Sequence, residues 1–180
     1  MKTIRTELEG VLVLEPIVHR DERGFFLETY HAGRYAEAGL PERFVQDNHS
    51  RSTRGILRGL HAQRLHPQGK LVRVLEGEVY DVVVDVRRES PTRGRHFGIT
   101  LTAESFRQVY VPPGFLHGFC VLSEVAEFEY KVTDYWYPGD EVGVRWNDPT
   151  LAIPWPIDSP ILSRKDEALP LYEEVRELLG

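Results

Sequence analysis

Apolar residues in this 180-residue chain come in short runs rich in Val, Ile, Phe and Tyr, between residues 11 and 30 and again between 71 and 136, each closed by turn-forming residues. β-Branched and aromatic side chains fit a pleated surface, and runs this short between Gly and Pro favour an antiparallel all-β fold. Strands are expected at 11–18, 25–30, 44–50, 71–76, 78–87, 98–102, 108–111, 118–122 and 127–134, punctuated by Gly77, Pro91, Gly94, Pro113 and Pro138. Residues 31–38 read as a short helix ended by Gly39, and 171–179 as another, with Leu171, Val175, Leu178 and Leu179 on one face. Between them, residues 148–170 carry Pro149, Pro154, Pro156, Pro160 and Pro170 and are expected to be irregular. So many short strands point to a double-sheet jelly roll or small barrel, although strand spacing does not separate these from a plain β-sandwich.

With 41% hydrophobic and 28% charged residues, a chain of this size can bury about 70% of its unfolded surface in one core. Residues 1–180 are therefore expected to form one domain, with an irregular and helical tail from about residue 148. The longest uncharged stretch, 108–123, contains Pro112, Pro113, Gly114, His117 and Gly118, so no membrane-spanning helix is expected. Lys2, Arg5 and Glu7 precede any apolar run, which argues against a signal peptide and for the cytoplasm. The net charge of −6, without a basic block, argues against a nucleic-acid partner. Cys120 is the single cysteine; no intrachain disulfide can form, and its apolar neighbours suit a small buried hydrophobe.

Reactive residue types gather in two places. Gly55-Ile56-Leu57-Arg58-Gly59-Leu60-His61-Ala62-Gln63 precedes the strand expected at 71, with Lys70 between them, and is too polar for a core. Val111-Pro112-Pro113-Gly114-Phe115-Leu116-His117-Gly118-Phe119 places a second histidine in what reads as a turn between strands. Taken alone, His61 and His117 are equally readable as hydrogen-bonded core histidines. The two segments resemble the paired motifs of cupins, which face each other inside a jelly roll. A metal-binding cupin presents three or four lone-pair donors. Here Gln63 stands where the second histidine should be, no glutamate follows before Lys70, and the ammonium of Lys70 would repel a cation. No metal is expected; His66 is the one replacement ligand.

Several further blocks occur in order: Asp21-Glu22-Arg23-Gly24-Phe25-Phe26-Leu27-Glu28-Thr29-Tyr30, Gln46-Asp47-Asn48-His49-Ser50, Leu57-Arg58-Gly59-Leu60-His61 and Gln68-Gly69-Lys70-Leu71-Val72-Arg73. They are followed by the run from Gly77 to Arg87, by Pro113-Gly114-Phe115-Leu116-His117-Gly118-Phe119, by Ala126-Glu127-Phe128-Glu129-Tyr130-Lys131 and by Leu162-Ser163-Arg164-Lys165-Asp166. Together they resemble the dTDP-4-dehydrorhamnose 3,5-epimerase family over nearly the whole chain. The resemblance implies a cupin-type jelly roll acting on dTDP-4-dehydro-6-deoxy-D-glucose without a cofactor, inverting C3 and C5 to give dTDP-4-dehydro-L-rhamnose.

That chemistry requires a base, an oxyanion partner and an acid, and no redox group. Histidine is the side chain suited to proton transfer near neutral pH, which makes His61 the natural base. Lys70 can place positive charge at an enolate oxygen, and Tyr130 offers a phenol to the opposite face. Asp166 as the carboxylate partner of His61 is implied by the resemblance. So are substrate contacts from Arg23, Glu28, Gln46, Asn48, Arg58, Lys70, His117, Glu141 and Lys165. Among these, Arg23, Arg58 and Lys165 suit a diphosphate, while Glu28 and Glu141 would meet neutral donors. Phe26 and Tyr135 are candidates to stack on thymine. The resemblance also implies a homodimer with exchanged N-terminal strands, Arg23 then acting in the partner's site. Three alternatives remain open: a single-centre epimerase of C5 or C3, a metal-dependent cupin isomerase or oxygenase, and a non-catalytic sugar-binding cupin.

Overall fold

In the computed structural model, which describes residues 1–179, the apolar runs form two antiparallel sheets and a detached hairpin. The first sheet has six strands in the order β1 (Lys2–Arg5), β2 (Leu12–Glu15), β10 (Gln108–Val111), β7 (Lys70–Glu76), β12 (Val125–Val132) and β5 (Gln46–Thr53). The second has five: β13 (Glu141–Gly143), β6 (Leu57–Gln63), β11 (Phe115–Val121), β8 (Glu78–Asp85) and β9 (His96–Thr102). The hairpin pairs β3 (Val18–Asp21) with β4 (Gly24–Leu27) and joins neither sheet. Short helices α1 (Ala32–Glu37), α2 (Arg164–Glu167) and α3 (Tyr172–Val175) complete the chain. Among the described residues no helix is long and apolar enough to cross a membrane.

The two sheets face each other across a core to which alternate residues contribute: Val72 and Val74, Val109 and Val111, Ala126 and Phe128 from one, Val79 and Val83, Phe115, Phe119 and Val121 from the other. Period-two alternation makes this inevitable, since every second side chain of a strand shares a face. Fully burying one such valine contributes about 1.5–3 kcal/mol. A second core covers the back of the five-stranded sheet, where Val82, Val84, Leu116 and Cys120 meet Leu151, Trp155, Tyr172 and Leu179 of the tail. The tail is therefore a layer of the fold despite its irregular backbone. Cys120 is fully buried, and burial pushes its thiol up to about 11.

Several sequence expectations need correction. Pro16 divides the strand expected at 11–18 into β2 and the start of β3. The strands β1 and β13, too short to show a pattern, went unpredicted. The segment judged too polar for a core is β6, a central strand. It escaped the alternation test because two of its residues, Gly59 and Leu60, oppose one of β11, Gly118, between the pairs His61–His117 and Arg58–Phe119. This bulge, with Gly59 at φ 123°, lets Leu57 and Leu60 both face the second core while Arg58 and His61 both face the cavity between the sheets. A Cβ on Gly59 would lie 2.6 Å from the Cα of Gly118. His117, expected in a turn, lies inside β11, the turn ending at Gly114 with φ 87°. The helix expected at 171–179 is only α3, and Leu178, assigned to its apolar face, is exposed.

Candidate active site

Toward one end of the space between the sheets the inward-facing positions turn polar. On β7 the series Val74, Val72 is continued by Lys70; on β12, Ala126 and Phe128 lead to Tyr130; on β11, His117 interrupts Phe115 and Phe119. These side chains, with Asn48, Arg58, His61, Lys165 and Asp166, line a cavity of about 570 Å³. His61 and His117 are register partners across β6 and β11, so the sheet that carries the histidines faces the sheet that carries Lys70 and Tyr130.

His61 Nε2 lies 2.6 Å from Asp166 Oδ1, a contact across 105 residues of chain. Two local features deliver the aspartate. Ile161 pairs with Ile56 just before β6, and Ser163 caps α2 by accepting the backbone N–H of Asp166 at 3.1 Å while its hydroxyl donates to the other carboxylate oxygen at 2.9 Å. Burial alone would raise the Asp166 carboxyl, but the bonds from His61 and Ser163 and the charge of Lys165 hold it below the usual carboxylate range. An ionised carboxylate only accepts, so the ring donates Nε2–H to it and keeps its basic lone pair on Nδ1.

Burial pushes the Lys70 ammonium down to about 8, opposed by the charges of Glu141 and Asp81. At neutral pH it stays mostly protonated, held where an oxyanion would relieve it. The Tyr130 phenol is raised, first by burial and then by Glu141, so it remains a proton donor. Arg58 lies against Ser52, whose hydroxyl accepts two guanidinium bonds at 3.1 and 3.0 Å. Glu141 lies 3.6 Å from His61 Nε2 and pairs with Lys165. Gln46 donates to Asn48 Oδ1 at 2.9 Å, outside the lining of the cavity.

Two of the expected substrate contacts lie elsewhere in the protomer. Arg23, at the tip of the detached hairpin, pairs with Asp21. Glu28 binds Arg34 at 2.9 Å near α1. One site residue went unnoticed in the sequence: Asp81, fully buried, whose Oδ2 lies 2.8 Å from His117 Nε2 and whose other oxygen has no partner among the described residues. Its signal was an acid on the inward face of β8 between Val79 and Val83.

The donors do not fit a divalent cation. The Lys70 ammonium reaches into the cavity, and the Gln63 amide is engaged by His66 O and Tyr135 O at 2.7 and 3.0 Å. What the arrangement can do is move a proton beside a stabilised oxyanion: a base with a fixed tautomer, a cation and a phenol surround a space the size of a small ligand.

Known proteins share the fold and much of the sequence. The sequence profile of the dTDP-4-dehydrorhamnose 3,5-epimerase family matches residues 5–174. The chain is 56% identical over 168 residues to the dTDP-4-dehydrorhamnose 3,5-epimerase of Pseudomonas aeruginosa, covering 92% of this chain and 93% of that protein. It is 44% identical over 172 residues to a dTDP-4-dehydrorhamnose 3-epimerase of Streptomyces niveus, covering 94% and 83%. A crystal structure of dTDP-6-deoxy-D-glucose-3,5-epimerase from Legionella pneumophila, in complex with dTDP-4-keto-L-rhamnose, superimposes with a TM-score of 0.96 at 49% identity, covering 99% of this chain and 97% of that one. The fold is the cupin-type jelly roll, and the chain belongs to the dTDP-4-dehydrorhamnose 3,5-epimerase family.

Proposed function

We propose that the protein inverts both C3 and C5 of dTDP-4-dehydro-6-deoxy-D-glucose, giving dTDP-4-dehydro-L-rhamnose, a step toward L-rhamnose for cell-surface polysaccharide. The observation that carries this reading is the division of groups between facing sheets: His61 with its carboxylate on one side of the cavity, Tyr130 and Lys70 on the other. A sugar ring held between them meets a base on one face and an acid on the opposite face, which is what inversion demands.

In each half of the reaction His61 Nδ1 takes the proton from the carbon beside the C4 ketone. The C–H electron pair passes to the carbonyl oxygen, where the Lys70 ammonium stabilises the enolate. Tyr130 then protonates that carbon from the other face, and solvent exchange resets phenol and imidazole. Asp166 orients the ring and stabilises the imidazolium. No electrons are exchanged with any cofactor. Arg58 and Lys165 bind the diphosphate, Asn48, Gln46, His117 and Glu141 hold sugar or base, and Tyr135 stacks on thymine. Arg23 and Glu28 act across a homodimer in which the β3–β4 hairpin, with Phe25 58% and Phe26 72% exposed, reaches toward the partner's site. The cytoplasm is the proposed compartment.

The test is incubation of the 4-keto sugar nucleotide with enzyme in heavy water. NMR should show deuterium entering at C3 and C5 and rhamno-configured product. Exchange at one carbon only would assign the protein to the single-centre class, to which the Streptomyces niveus relative belongs by name. Binding without exchange would make it a sugar-nucleotide binder. Tyr130→Phe should let deuterium enter C5 faster than configuration inverts; equal rates would reduce Tyr130 to packing. Sedimentation as a dimer, with a raised KM in Arg23→Ala, is the expected result for the partner contact.

A further inference from the structure

Gln63, the last residue of β6, occupies the position at which a metal-binding cupin would place a histidine, and its side chain is only 6% exposed. All of its directed bonds go to backbone. Nε2 donates to His66 O at 2.7 Å and to Tyr135 O at 3.0 Å, and Oε1 accepts the N–H of Tyr137 at 2.8 Å. One carboxamide thus clamps both sides of Trp136 in the loop that joins β12 to β13.

That loop has an unusual content for a connection. Tyr135, Trp136 and Tyr137 are consecutive and exposed, at 50%, 56% and 36%. The loop leaves β12 just after Val132, the register partner of both Lys70 and Gln46, and returns at Glu141, the partner of Gln63 and a neighbour of His61. Its ends are tied down as well. Gln68 Nε2 donates to Asp134 O at 2.8 Å, and the Asp140 carboxylate accepts the N–H groups of Leu65 and His66 at 2.8 and 2.9 Å. The His66 ring stacks on Tyr137 at 3.9 Å. Exposed aromatics on a backbone held this firmly are preorganised to stack on a flat ligand, because little loop entropy is lost when it arrives.

We propose that Gln63 is a positioning residue that holds the Tyr135–Tyr137 loop as the nucleobase platform and sets its distance from His61 on the same strand. The inference rests on the sugar-nucleotide reading above and adds to it the element that couples nucleotide recognition to the reacting end. A Gln63→Glu carboxylate would keep the side chain's shape but face two carbonyl oxygens with no hydrogen to offer them.

Calorimetry with thymidine diphosphate and with inorganic pyrophosphate tests this. For Gln63→Glu, thymidine diphosphate affinity should fall about tenfold, pyrophosphate affinity should not change, and KM should rise about tenfold with kcat within about twofold. In a Tyr135→Ala background the same substitution should add less than about twofold, since both act through one loop. Should Gln63→Glu not fold, Gln63→Asn, too short to reach both loops, takes its place. Unchanged affinity in the variant, an equal loss for pyrophosphate, or losses that multiply with Tyr135→Ala would each overturn the inference while leaving the epimerase reading intact. Failure of the unaltered protein to bind thymidine diphosphate would overturn both.

Discussion

The cavity is flanked by two histidine–aspartate pairs built from the same chemistry in different settings. His117 and Asp81 lie on neighbouring strands of one sheet, 2.8 Å apart, with side chains 7% and 0% exposed. His61 is 23% exposed, and its aspartate, 2.6 Å away, arrives from the tail on α2. The first pair is built into the sheet, its aspartate fully buried and little of its histidine showing to the cavity, so it serves as a fixed hydrogen-bonding group. A pair open to the cavity, its carboxylate supplied by a separate segment, can take up and release a proton. Under the proposed function, accessibility, more than the pairing itself, separates the reacting histidine from the holding one.

The most severe way to break this contrast is His61→Asn. Deuterium exchange should be lost at both carbons, a drop of about 10²–10⁴-fold or more for loss of the base, with thymidine diphosphate binding retained. Exchange surviving at either carbon would give the base role there to another group, His117 first among them.

Lys70 faces both pairs, and its replacement by Met should slow turnover by about 3 kcal/mol, the scale of a lost oxyanion donor. The same variant should be more stable at neutral pH. Folding lowers the lysine from 10.5 to about 8, so between those values the unfolded chain binds more protons and stability rises with pH. Below pH 8 the buried ammonium costs the fold about 3 kcal/mol at most, and Lys70→Met removes both the cost and the pH dependence. Urea midpoints of the two proteins at pH 7 and pH 10 measure it; a less stable Met variant at pH 7 would mean that Glu141 and Asp81 more than compensate the ammonium.

A finer comparison sets Asp166→Asn against Asp81→Asn. The first should lower kcat by about ten- to a hundredfold, because the ring loses the carboxylate that fixes its tautomer and orientation. The second should act mainly on KM, by about tenfold, through a loosened His117. The reverse split would exchange the roles of the two pairs. The smallest effect expected is none at all: activity should survive a strong chelator and assay in chelated buffer, since the donors favour Lys70 over a cation at the oxyanion. Restoration by a divalent metal of activity lost to chelation would reopen the metal-dependent cupin.

The regions of the fold were unequally legible. Short apolar runs rich in β-branched residues, such as β8 and β10, which are buried on both faces, show themselves as strands in the sequence, and Cys120 reads correctly as buried. β6 does not, because the bulge at Gly59 breaks the period where the chemistry is densest. Asp81 was overlooked because a single acid in an apolar strand carries no motif. The hairpin with Arg23 resisted placement for another reason: a segment that pairs with neither sheet has no register to predict.

By itself, then, the order of short apolar runs determined an all-β fold, and the ordered blocks from Asp21 to Asp166 determined the family, because local pattern and motif are properties of the chain. Which groups meet was decided only in three dimensions. The contact of His61 with Asp166, the placing of Lys70 and Tyr130 opposite the histidines, and the clamp of Gln63 on Tyr135 all join residues distant in the chain. No spacing along a chain encodes them, since sheet order, bulges and a packed tail set those distances through contacts that form only when the whole domain closes.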